Sequence, residues 1–182
     1  MSNDFDLLKT ALQTASVDTP SDTDNLTPLM VSANHSKPEM VTFLIAHNAN
    51  VNARSTSGLT PLMLAMNPNS EHTQAIVTQL LEAGAAVNAQ SEGGNTALME
   101  AAHKGMLRQV MTLILAGADV NIQNKFGETA LMVASMKDGE PGVVRALLIA
   151  KADRNIVNID GKTAVDLANE SGDDALIKEY AT

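Results

Sequence analysis

The sequence predicts an all-α solenoid of stacked helix–turn–helix units joined by β-hairpin-like loops. Two observations carry that expectation. One word recurs: TPLM at Thr27–Met30 and Thr60–Met63, TALM at Thr96–Met99 and Thr129–Met132, and a degraded TAVD at Thr163–Asp166. Its threonines stand 33, 36, 33 and 34 residues apart, a period that marks a repeat architecture. The second observation is composition. The chain is 45% hydrophobic but 2% aromatic. Its core must be built from Ala, Leu, Val, Ile and Met, which suit close helix packing better than a β-sheet.

Taken in order, residues 1–21 read as an N-terminal capping helix with Phe5, Leu8 and Leu12 on one face. Repeats are expected at 22–54, 55–90, 91–123 and 124–157, with a capping repeat at 158–182, all within a single domain 1–182. In each repeat the threonine starts a first helix as its N-cap, satisfying an orphan backbone N–H. Pro28 and Pro61 then take the first helical position, where a missing N–H costs nothing. Small residues such as Ala33, Ala65, Ala101 and Ala134 follow, letting neighbouring helices approach. A second helix carries one apolar stripe, as in Ile76, Val77, Leu80 and Leu81.

Gly84 and Gly117 should end it in the left-handed conformation. Asn48 is a tolerable substitute there, and Lys151 a strained one. The spacings of 36 and 34 place insertions in NPNSEHT, after Met66, and in KDGEPG, Lys137–Gly142. Both fall at the connection between helices, which a stack can absorb. In the last unit Asp173, Asp174, Lys178 and Glu179 are expected on the wet side of the cap. Phe43 itself falls in a second-helix core pattern.

The unit resembles the ankyrin repeat. The resemblance rests on the TPLM, TALM and TAVD words, preceded in turn by Asn25, Gly58, Gly94, Gly127 and Gly161, on IVTQLL and VVRALL in the second helix, and on GADVN at Gly117–Asn121. It covers residues 22–182. It implies a protein-binding array whose hairpin tips and first helices form a recognition surface. The ankyrin pattern usually carries His where this chain has Met30, Met63, Met99 and Met132. A hydrogen-bonded tie between repeats is therefore missing from that position.

Several chemistries are excluded. There are no cysteines, so there are no disulfides or thiolate sites. A net charge of −9 disfavours nucleic acid and favours a partner with a basic face. No apolar run is long enough to span a membrane, and no signal peptide is visible. The chain is expected to be soluble, cytoplasmic or periplasmic, and monomeric. The four methionines invite a soft-metal ladder, because thioethers bind Cu(I). Packing is the reading favoured, since a solenoid core requires stacked apolar residues. His35 and His103 lie two repeats apart, ~20 Å at about 10 Å per helix layer, too far to share a metal. No nucleophile–base constellation or phosphate loop is present, so no enzyme activity and no cofactor is expected.

What remains is a surface. Partner-binding positions are expected at Arg54, Thr56 and Leu59, at Glu92, Asn95, His103 and Lys104, and at Lys125, Phe126, Glu128, Ile159 and Lys162. Gln90, Gln123, Val157, Asn34, His35, Asn67, Lys137 and Asp138 belong to the same fingers and palm. Phe126 stands out, since nothing in the repeat needs an aromatic at a hairpin tip. These features point to a non-catalytic module that binds a folded protein. It would act as an inhibitor or immunity-type protein blocking an enzyme with a basic rim. An adaptor or a secreted effector is the alternative, and a methionine-column metal binder the alternative of another class. The irregular units argue against a designed scaffold and for a natural array, and the ANVNA/TPLM style gives it a bacterial flavour.

Overall fold

The computed structural model describes residues 16–20, 23–136 and 139–181. The expected N-terminal helix, with Phe5, Leu8 and Leu12, and the palm residues Lys137 and Asp138 lie outside the described residues. The described residues contain ten helices and no strand. Contacts group them into two compact units, Met1–Ala86 and Val87–Thr182.

The first unit holds α1 (Pro28–Asn34), α2 (Pro38–Ala46), α3 (Pro61–Leu64) and α4 (Thr73–Glu82). Helix α1 packs on α2 and α3, and α4 packs on α2 and α3. The second unit holds α5 (Ala97–His103), α6 (Leu107–Leu115), α7 (Ala130–Ala134), α8 (Pro141–Ile149), α9 (Ala164–Ser171) and α10 (Asp174–Glu179). First helices α5, α7 and α9 pack in succession, as do second helices α6, α8 and α10. Within each unit the pairs are thus layers of an all-α repeat solenoid.

The threonine word does what its chemistry predicts. In all five copies the hydroxyl accepts a hydrogen bond from the N–H three residues on: Met30, Met63, Met99, Met132 and Asp166. Thr163 adds a capping box, because the Asp166 carboxylate accepts from the Thr163 N–H at 2.8 Å. In the TPLM and TALM words the leucine points inward: Leu29, Leu62, Leu98 and Leu131 are buried, whereas Val165 of TAVD is half-buried. The methionines beside them are buried too, filling the interior of their units.

Polar ties between repeats run instead through the loops. Asn52 accepts from the Ala86 N–H at 2.7 Å and donates to the Gly84 carbonyl. Asn88 repeats both bonds on Asp119 and Gly117, and Asn121 accepts from the Asp153 N–H. Asp18 accepts from the Asn50 N–H in the same way. Asp18 therefore stands to Asn50 as Asn52, Asn88 and Asn121 stand to the loops that follow them.

Before each word the chain makes a tight turn closed by a left-handed residue. Asn25, Gly58, Gly94, Gly127 and Gly161 all have positive φ. At Gly94 and Gly127 the need is double. A Cβ on Gly127 would lie 3.0 Å from the Asn158 backbone, and one on Gly94 would lie 2.9 Å from the Asn124 backbone. Asn48 and Lys151 also have positive φ, as their replacement of glycine implies.

Three expectations are corrected. Phe43 is only half-buried; its ring lies 4.0 Å from the His47 ring instead of inside the core. The KDGEPG connection ends early, because Glu140 caps α8 through the Gly142 N–H and Pro141 already belongs to the helix. Glu179 is not on the wet side. It is 8% exposed, and Arg145 of α8 donates to both its carboxylate oxygens, at 2.5 and 2.8 Å. That bridge holds the Glu179 carboxyl below the ordinary glutamate range against the opposing effect of burial. Beside it the Tyr180 hydroxyl bonds Ser135, whose own hydroxyl donates to the Leu131 carbonyl.

Candidate protein-binding surface

The hairpin tips are braced by hydrogen bonds between their own polar atoms. Asn124 accepts through Oδ1 from the N–H groups of Phe126 and Glu128, and Asn158 does the same for Asp160 and Lys162. Ser55 and Ser91 fill the equivalent place for Leu59 and Asn95. Successive tips also join by backbone bonds: Lys125 N–H to Gly93 O, and Ile159 N–H to Phe126 O, both 3.0 Å. In the first unit Thr56 N–H donates to Asp24 O.

Several positions read as free fingers are tied into the scaffold. Gln90 donates to the carbonyls of Gly94 and Gln123, and Gln123 donates to those of Gly127 and Val157. Each amide clamps its own turn and the next repeat. Asn95 Oδ1 and Glu128 Oε2 both accept from Asn124 Nδ2. Lys162 pairs with Glu170 at 2.7 Å, which raises its pKa. Lys104 lies 3.8 Å from Glu100.

The other expected positions divide between the two units. Arg54 and Thr56 are exposed in the first unit, where Leu59 is half-buried. In the second, Glu92, His103 and Lys125 are exposed. Phe126 is 59% exposed and Ile159, on the next tip, 69%. Val157 adds a third exposed apolar side chain at 50%.

The second unit brings some of these residues around one depression of about 250 Å³. Asn95, Asn124, Phe126 and Glu128 line it from the hairpins, Met99, Glu100 and His103 from α5, and Val133 and Met136 from α7 and the turn after it. Glu100, Val133 and Met136 were not among the expected site residues. A signal for Glu100 was present. Four residues past the threonine, the other repeats carry Val31, Leu64, Val133 and Leu167. A carboxylate stands only in the third, where the pattern asks for an apolar residue. Phe126 departs likewise, since its equivalents are Asp24, Ser57, Gly93 and Asp160.

Among the described residues no three His, Cys, Asp or Glu side chains gather as metal ligands. The shifted titrating groups sit in salt bridges, in a helix cap and at Tyr180, whose pKa is raised by burial; none lines the depression.

No curated protein matches the chain. A family model described as ankyrin repeats, in three copies, matches residues 1–91, 58–121 and 98–179. The chain therefore belongs to the ankyrin-repeat family, whose arrays are protein–protein interaction modules and generally non-catalytic.

Proposed function

We propose that this chain captures a folded protein through the hairpin tips and first helices of residues 87–182, and inhibits that partner by covering a basic rim. The observation that carries the reading is Phe126. It is 59% exposed on a turn whose N–H groups, from Asn124 to Glu128, are all hydrogen-bonded, which holds the backbone that presents the aromatic. Rigid exposed aromatics bind at low entropic cost and are enriched among interface hot spots. Ile159 and Val157 supply apolar surroundings, and Glu92 lies on the preceding tip. The net charge of −9 supports a basic partner, since charge complementarity accelerates encounter and rejects acidic competitors. A surface that only binds acts on an enzyme by occupying it, which is the inhibitory version of this reading.

The test is capture from native-host extract by the wild-type chain and by Phe126→Ala and Glu92→Lys variants. The captured protein is then assayed for its own activity with and without the chain. Loss of capture by Phe126→Ala with retained helical circular dichroism is expected, as is a fall in the partner's activity when bound. Equal capture by both variants overturns the surface. Undiminished partner activity overturns the inhibitory role.

A further inference from the structure

We propose that the depression between α5, α7 and their hairpins is the seat of an arginine side chain presented by the protein partner. This rests on the protein-binding reading above and names the chemistry of one subsite within it. At about 250 Å³ the depression lies below the roughly 300–1,000 Å³ of small-molecule pockets, and suits a single inserted side chain.

Its walls match an amphipathic cation. Met136 and Val133 are partly exposed and offer an apolar track for a methylene stem. Phe126 supplies an aromatic face for the charged head. Glu100 and Glu128 supply two carboxylates. Asn124 fixes one of them, donating to Glu128 Oε2 at 2.9 Å while its Oδ1 holds the Phe126 turn. The same amide therefore holds both the Phe126 turn and a carboxylate of the lining.

Among the described residues that line the depression stand two carboxylates and no lysine or arginine. Lys104, outside the lining, meets Glu100 Oε2 at 3.8 Å, a surface pair of small worth. An inserted cation therefore finds two carboxylates in the lining. Arginine meets the demand better than lysine, because a planar guanidinium stacks on a ring and forks to carboxylates at once. The carboxylate at Glu100, where every equivalent position is Val or Leu, serves no packing purpose that the other repeats share.

The test uses the full chain with methyl-labelled methionines, titrated with acetyl-Gly-Arg-Gly-amide. Parallel titrations replace the arginine by lysine or by citrulline, its neutral near-isostere. Saturable shifts of the Met99 and Met136 methyl signals are expected with the arginine peptide, weaker ones with lysine and none with citrulline. Met30 and Met63, in the other unit, report that the fold is unchanged. Glu100→Gln and Glu128→Gln should each weaken arginine binding by about fivefold, the upper range for one exposed ion pair. Equal shifts with citrulline, or no shift with arginine, overturn the subsite. Either result leaves capture of a partner through Phe126 standing. Capture unaffected by Phe126→Ala removes that broader reading while leaving the peptide result intact.

Discussion

Gly127 and Gly161 form a matched pair that isolates the contact between successive hairpins. Both have φ of +72°, so alanine meets the same left-handed strain at each, about 1 kcal/mol. Both substitutions also stiffen the unfolded chain, which offsets about 0.4–1 kcal/mol of that cost. They differ in what the new methyl meets. At Gly161 nothing lies within 4 Å. At Gly127 it would lie 3.0, 3.1 and 3.2 Å from backbone atoms of Asn158 and Ile159. Backbone cannot rotate away as a side chain can. The two hairpins must part, which strains the Ile159 N–H to Phe126 O bond, worth about 1 kcal/mol net. Gly127→Ala should therefore destabilise by about 1–2 kcal/mol more than Gly161→Ala. With a urea dependence of about 2 kcal/mol per molar, the midpoints should differ by about 0.5–1 M, read by helical circular dichroism. Equal midpoints would refute the claim that the glycine is required by the neighbouring repeat and not by its own turn.

Further outcomes follow from single residues. Lys151 has φ of 64° at the end of α8, so Lys151→Gly should stabilise by up to about 1 kcal/mol; Asn48→Gly should gain less, because Asn tolerates that region. A lower midpoint for Lys151→Gly would refute the strain. Thr129→Ala removes the α7 cap and should cost about 1 kcal/mol, whereas Thr129→Ser should restore most of it in the same urea titration. The Glu179 carboxyl is held low in the folded chain, so its contribution is present above the ordinary glutamate pKa of about 4.3 and is lost as pH falls through the lower folded value. Glu179→Gln should flatten the acid side of the stability profile below that pH; an unchanged slope would remove the Arg145 bridge as its cause. Phe126→Ala should leave thermal stability within about 0.5 kcal/mol of wild type, as exposed positions do.

The parts legible in advance share one property: their cause lies within one repeat. The threonine cap needs only an N–H three residues on, and the left-handed turn residue needs only its own φ. Each can be read from a short string and then checked against the other copies. Phe126 could be singled out for the same reason, because its equivalents are small or polar. Gln90 and Gln123 were misread because an exposed polar residue looks idle until the carbonyls it spans are located. Their partners lie 4 and about 33 residues away, and only the stack decides that both are reached by one amide.

The sequence by itself determined the fold of this protein, through the period of its threonine words, the caps they make and the apolar residues they send inward. Tertiary structure alone decided the fate of individual polar groups. Glu179 has the signature of a solvated cap residue, yet Arg145, 34 positions earlier, claims it. Glu100, Glu128 and Phe126 come from two repeats and become one depression only when α5 and α7 are layered. Periodicity specifies which residues every repeat buries; it carries no information on side chains that differ between repeats, as Glu100, Phe126, Arg145 and Glu179 do.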